Sequence, residues 1–144
     1  MIGENVNFVG KAREHIRFIT KGNYRTALDY VDSTELALFQ WLSVNTSKGD
    51  VILHPPEMVY IRAIANRSSV FQHHLVSFNP KGMEEWMRRS GKTKNYCQKS
   101  SEELKDIALA YEATWIIIER RCPAAVSRKA EYDNSAWLVF KTFP

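Results

Sequence analysis

The sequence predicts an α/β fold: a three-layer α/β/α sandwich around a mostly parallel sheet of about five strands, with a C-terminal antiparallel hairpin. Three stretches carry that expectation. Val51–Leu53 is a short apolar run that passes through a His54-Pro55 turn into a helical pattern from Pro56 to about Asn66, which is half of a βαβ unit. Trp115–Ile118 is an unbroken apolar run, the mark of a strand covered on both faces. Ser127–Tyr132 and Ala136–Thr142 flank Asp133-Asn134-Ser135, which reads as a hairpin with a tight turn.

Each element has a local reason. Residues Met1 to Asp32 read as a lead-in or linker, with a surface helix around Gly10 to Ile19. Residues 33–144 read as a single α/β domain. Asp32 or Ser33 can cap a helix that carries Leu38, Phe39, Trp41 and Leu42 as its apolar stripe and ends near Asn45. Thr46–Asp50 then turns the chain into the central strand. Pro56 suits a first helical turn, where its missing N–H is no loss. A second strand is expected at Ser69–Leu75, and a loop at Asn79–Gly82 before a short helix from Met83 to about Ser90. Ser100 and Glu103 have the spacing of a capping box. The helix they open has Leu104, Ile107, Ala108 and Tyr111 on one face.

Composition bounds the function. The chain has 144 residues, 44% of them hydrophobic and 25% charged, enough to bury a core without staples. No run approaches the roughly 18 apolar residues of a membrane-spanning helix, and the N-terminus has no signal-peptide pattern. Charge is +4 and mostly interspersed. The exception is Arg88–Lys99, which has five basic residues and no acidic one. A solvated face explains it; the sharper reading is that Arg88, Arg89, Lys92 and Lys94 contact an anion such as a lipid headgroup, a phosphate-bearing ligand or nucleic acid. Cys97 and Cys122 read first as two free or buried thiols, with a single disulfide as the alternative.

Phosphate loops, dinucleotide fingerprints, nucleophile elbows and zinc-protease motifs are absent from the sequence. What remains is position. If strands end at Leu53, near His73 and at Ile118, then His54, His73, Glu119 and Arg120 gather at the carboxyl edge of the sheet, where α/β folds place ligands. A His and a Glu there could exchange protons, and Arg120 or Arg67 could hold a phosphate or carboxylate. Polar residues at strand ends are ordinary and His suits a turn, so the plain structural reading of these residues is the stronger one. His54, His73 and His74 are not expected to form a metal site, because adjacent His73 and His74 point to opposite faces of a strand and only one could join His54; no cofactor is expected.

The run LALFQWLSVNTSKGDVILHPPEMVYIRAIANRSSVFQ resembles the soluble C-terminal domain of multi-spanning GT-C-type, polyprenyl-phosphate-sugar glycosyltransferase-like membrane proteins. Trp41-Leu42, Asn45-Thr46, Val51–Leu53, Pro55-Pro56, Ile61-Arg62, Ala65 and Arg67 match that pattern in order, with Ser47 in place of its usual Pro. Glu85–Arg88, Ala110–Arg120 and Tyr132–Phe140 resemble its later helix, strand and hairpin. The resemblance implies a non-catalytic accessory domain, Rossmann-like in architecture, on the non-cytoplasmic face of a membrane. It could contact a glycan acceptor or anionic headgroups, and its partner would be a membrane protein or membrane surface, with no nucleic acid. In that family the catalytic carboxylates lie between membrane helices, so none is carried over. The alternative is a stand-alone, cytoplasmic α/β ligand-binding protein or enzyme built on the strand-end cluster.

Overall fold

The structure is a computed structural model that describes residues 27–73, 76–126 and 129–143. The chain divides into two compact units, Met1–Tyr30 and Val31–Pro144. The described part of the first is a 3-10 turn at Ala27–Tyr30; the helix expected over Gly10–Ile19 lies outside the described residues.

The second unit opens with α1 (Ser33–Asn45), capped by Asp32, whose Oδ1 accepts from the Thr34 and Glu35 backbone N–H groups at 2.8 and 2.9 Å. Leu38, Phe39 and Leu42 form its buried stripe. Asp50 then fixes where β1 (Val51–Leu53) starts. Its carboxylate accepts from Ser47 N at 2.7 Å, Trp115 Nε1 at 3.1 Å and Thr114 Oγ1 at 3.0 Å. One acidic side chain thus closes the turn and ties the entry of β1 to the entry of β3 (Trp115–Glu119). Burial alone would raise its pKa; the donors from Ser47, Trp115 and Thr114, with the charge of Arg67, hold it below the usual carboxylate value.

The expected mostly parallel three-layer sandwich is corrected. The sheet is mixed, in the order β2-β1-β3-β5-β4. β1 pairs in parallel with β2 (Ser68–Ser69) and with β3, while β5 (Trp137–Lys141) runs antiparallel both to β3 and to β4 (Tyr132–Asp133). The longest ladder is the antiparallel one, from Trp115↔Lys141 to Glu119↔Trp137. The reason lies in the hairpin. Leu138, Val139 and Phe140 are all buried, so β5 needs cover on both faces and inserts beside β3, leaving the short β4 at the edge. Asn134 makes the turn: its Oδ1 accepts from Ala136 N at 2.9 Å and Trp137 N at 2.8 Å.

Three further expectations are revised. The helix foreseen from Pro56 is only α2 (Ile61–Ala65). The Pro55 carbonyl is taken by Met58 N at 3.0 Å and by His54 Nδ1 at 2.7 Å, so it starts a turn rather than a helical ladder. The strand foreseen over Ser69–Leu75 is reduced to β2, because the next carbonyls along the chain go to side chains of α3 (Pro80–Thr93). Arg89 Nη1 donates to Val70 O at 3.0 Å and Trp86 Nε1 to Gln72 O at 3.2 Å. The helix therefore covers what would be an open sheet edge. Asn79-Pro80, expected as loop, is the start of α3. Asn79 Oδ1 caps Gly82 N at 2.7 Å with Pro80 in the first turn. A Cβ on Gly82 would meet the Ser77 side chain at 2.1 Å, so no larger residue fits without displacing the preceding loop. Helix α4 (Ser101–Ala110) has the expected capping box.

Alternation along the strands sorts the apolar residues into two clusters. Ile52, Trp115, Ile117 and Val139 pack with Leu38, Phe39 and Leu42 of α1 and Ile61 and Ala65 of α2. Leu53, Ile116, Ile118, Leu138 and Phe140 pack with Leu104, Ile107 and Ala108 of α4 and, partly buried, Trp86 of α3.

Arg67 joins α1 to α2. It is buried and donates to Thr46 Oγ1 and Thr46 O at 2.7 Å, Ser43 O at 2.7 Å, Asn66 O at 2.9 Å and Ala65 O at 3.1 Å. Its guanidinium thus satisfies orphan carbonyls at the ends of α1 and α2, where a cation also meets the negative end of the helix dipole. A lysine has no planar fork to reach these acceptors together. Arg67→Lys is expected to destabilise the domain by about 2 kcal/mol or more, read as a lower urea midpoint at unchanged slope; a midpoint equal to wild type would show that the clamp contributes nothing.

Candidate functional site

A cleft of about 440 Å³ opens at the carboxyl ends of β1 and β3. Its position is set by the topology, since Pro55 leaves β1, Glu119 ends β3 and Trp137 begins β5. Glu35 reaches it from the first turn of α1, and Glu57 and Met58 from the turn after β1. The far wall is Asn95, Tyr96, Cys97 and Gln98. Asn95 takes the left-handed conformation at φ 55°, which asparagine tolerates, and so turns the chain out of α3 towards the cleft. Tyr96 anchors that wall: its hydroxyl donates to Ile117 O at 2.8 Å in the buried core, and burial pushes its pKa well up.

Cys97 and Cys122 form a disulfide, which decides between the two readings of the cysteines. It staples the 3-10 turn Tyr96–Gln98 to the chain leaving β3 and forms part of the cleft lining.

The cleft has a definite electrostatic character. Three carboxylates (Glu35, Glu57 and Glu119) face one guanidinium, Arg121, and Arg121 Nε is already paired with Glu119 Oε1 at 2.8 Å. Burial, and then the charge of Asp32, raise the Glu35 pKa. Apolar contact comes from Met58, Tyr96 and Trp137. The Trp137 Nε1–H is buried without an acceptor among the described residues.

Of the residues singled out from sequence, Glu119 lines this cleft. His54 lies inside the protein, 1% exposed. The Pro55 carbonyl can only accept, so Nδ1 carries the proton at 2.7 Å from it, and Nε2 accepts from the Ser69 hydroxyl. His73 is exposed and meets the Phe71 ring edge-on at 5.2 Å. Arg67 is the clamp between α1 and α2. Arg120 donates to Asn134 O at 3.0 Å and pairs with Asp133 in the hairpin. The structure does not bring these five residues together.

The basic segment divides in two. Arg88 and Arg89 both bind Glu85, with Arg89 Nε 2.6 Å from Oε1 and Arg88 Nε 2.9 Å from Oε2, and both lie over the Tyr111 ring at 5.7 and 4.8 Å. The hydrogen bonds from Arg89 and Arg88 hold Glu85 below the usual carboxylate range. Lys92 and Lys94 are exposed.

Sequence reasoning missed Glu35, Glu57 and Trp137 as cleft residues. Glu35 and Glu57 carry the signal of first-turn acids and Trp137 that of a core strand residue; only the crossing of β1, β3 and β5 shows that they share a space.

Residues 33–92 match the family model described as a domain of unknown function, DUF6798. The match spans α1 to α3, including Ser43, Thr46 and Arg67 of the clamp, and stops before Asn95. No curated protein matches the chain.

The buried histidine sets a pH dependence. Burial lowers the His54 pKa from 6.5 to about 4. Between those values the unfolded chain binds a proton that the folded chain does not. Stability is therefore fully present above about pH 6.5 and falls as pH drops towards 4, by about 3 kcal/mol for a shift of this size. Urea unfolding at pH 7 and pH 4.5 should show most of this loss in the wild type and much less of it in His54→Gln; equal losses in both would assign the slope to other groups.

Proposed function

We propose that this chain is a non-catalytic accessory domain of a membrane-associated glycosyltransferase-like system, and that its cleft takes part of a neutral glycan acceptor. The observation that carries the reading is the cleft lining. Carboxylates and the amides of Asn95 and Gln98, set beside the half-buried Trp137, are the groups that bind hydroxyls and cover the apolar face of a sugar ring. Three carboxylates against one paired guanidinium oppose a phosphate or carboxylate ligand. The reading also fits the resemblance of residues 34–143 to the C-terminal domain of such proteins. The disulfide fits a domain on the non-cytoplasmic side of the membrane. No helix among the described residues is long and apolar enough to cross a membrane, so attachment would come from a partner or from chain outside those residues.

The test uses neutral trisaccharides, maltotriose and chitotriose, with glucose 6-phosphate as the anionic control. Either neutral sugar should shift the Trp137 indole N–H resonance, glucose 6-phosphate should not, and Glu35→Gln should weaken binding about tenfold by replacing a charged hydrogen-bond acceptor with a neutral one. No shift with either trisaccharide, or tighter binding of the phosphate, removes the reading.

A second reading, contact with anionic headgroups, is favoured by one exposed face. Phe78 and Met83 occupy the two positions of a hydrophobic staple at the start of α3. Yet both are exposed, Phe78 completely, and so is Met87 one turn further on. Lys81, Arg88, Lys92 and Lys94 are exposed on the same helix and its C-cap, the combination of an interfacial helix. The domain should co-sediment with vesicles containing phosphatidylglycerol at low salt and release as salt rises. Phe78→Ala should reduce the bound fraction without lowering the melting temperature. Equal binding to vesicles of phosphatidylcholine alone, or none at low salt, would exclude this surface.

A further inference from the structure

The geometry points to a second state of the cleft wall: we infer that reduction of the Cys97–Cys122 disulfide converts it into a zinc site formed by both thiolates and the Glu119 carboxylate. The inference goes beyond glycan binding and stands on a different observation. The two Sγ atoms and a Glu119 carboxylate oxygen all lie within 4.8 Å of one another. Two sulfurs and one carboxylate oxygen are a donor set that suits Zn²⁺, which takes tetrahedral S, N and O ligands.

The local structure allows the change. Cys97 sits in the 3-10 turn Tyr96–Gln98 and Cys122 in the turn that leaves β3, so neither is locked within a long element. Breaking the bond lets side-chain rotation bring the sulfurs to the about 3.7 Å that two Zn–S bonds of about 2.3 Å require. Glu119 is held at the end of β3 by the five-pair ladder with β5, which fixes the third ligand. Arg121, now paired with Glu119, is largely exposed and can swing away into solvent. Because all three ligands line the cleft, a water from it can take the fourth position.

The reaction balances with a dithiol as reductant. The dithiol gives two electrons and two protons to the S–S bond and closes to its own disulfide, leaving the Cys97 and Cys122 thiols. Zn²⁺ then displaces the two thiol protons, so binding weakens as pH falls. An oxidant that re-forms the disulfide expels the metal.

The test reduces the full chain with a phosphine, removes the reductant without air and titrates Co²⁺ and then Zn²⁺. The reduced protein should give the thiolate-to-cobalt charge-transfer absorption and tetrahedral ligand-field bands, and one equivalent of Zn²⁺ should abolish both. The oxidised protein and the Cys97→Ser/Cys122→Ser variant should give neither. In competition with a chromophoric chelator, Glu119→Gln should lose about tenfold or more in Zn²⁺ affinity, since even outer-shell partners contribute about that much. Should reduction unfold the chain, Zn²⁺ must restore its native circular dichroism. The inference is overturned if the reduced chain binds Zn²⁺ no tighter than the cysteine-free variant, if Glu119→Gln binds as wild type, if the oxidised chain binds equally well, or if a chain unfolded by reduction stays unfolded with Zn²⁺.

Discussion

A buried guanidinium needs several acceptors, and Arg67 finds them only where two helices end together. Its five hydrogen bonds reach Ser43 and Thr46 at the end of α1 and Ala65 and Asn66 at the end of α2. Those carbonyls would otherwise be unpaired, and the charge would be costly to bury without them. Each side of the contact therefore requires the other. Once it is made, α1 and α2 are fixed on the same sheet face, the Ser47–Asp50 turn is placed, and Asp50 can tie β1 to β3. The segment that matches the domain of unknown function carries Ser43 and Thr46 as well as Arg67. These are the two halves of one contact, and neither half touches the cleft.

The cleft arises where three strands meet. Because β1 and β3 are parallel neighbours, their carboxyl ends emerge on the same edge. The antiparallel β5 then presents its first residue, Trp137, beside the last residue of β3. The Tyr96–Gln98 turn closes one side, held by the Tyr96 hydroxyl in the core and by the disulfide. Carboxylates from α1, the β1 turn and β3 converge there without a matching set of cations. This is a different chemistry from the anion site that strand-end histidines and arginines suggest. His54 is enclosed with both ring nitrogens paired, and Arg120 braces the hairpin.

The disulfide gives that edge two roles. It fixes the wall of the cleft, and it stands beside a carboxylate with which its sulfurs could hold a metal once reduced. Glu119 is common to both, as a cleft carboxylate and as the third ligand. A change of redox state would therefore alter the charge and shape of the cleft. The exposed Phe78–Met83–Met87 face of α3 is built from residues that none of these contacts uses.

Local chemistry was legible in the sequence wherever neighbours in the chain decide the outcome. The Asp32 cap, the Ser100–Glu103 capping box, the apolar runs of β1 and β3 and the Asn134 turn depend on contacts within four residues or on burial of the whole segment. They stand where the pattern placed them. Most of what failed depended on distant partners. Beyond Ser69 the expected strand gives way because Arg89 and Trp86 take the Val70 and Gln72 carbonyls; the helix from Pro56 is the exception, lost to the local contacts of His54 and Met58 with the Pro55 carbonyl. The parallel sheet became mixed because β5 found its cover beside β3, and the cysteines paired because two turns 25 residues apart meet at one edge. The sequence by itself determined which segments can be helix or strand and which side chains must be buried. Tertiary structure alone decided strand neighbours, the lining of the cleft and the long-range partners of buried groups such as Arg67, because a hydrogen-bonding group takes its nearest partner in space, and the chain does not reveal that distance.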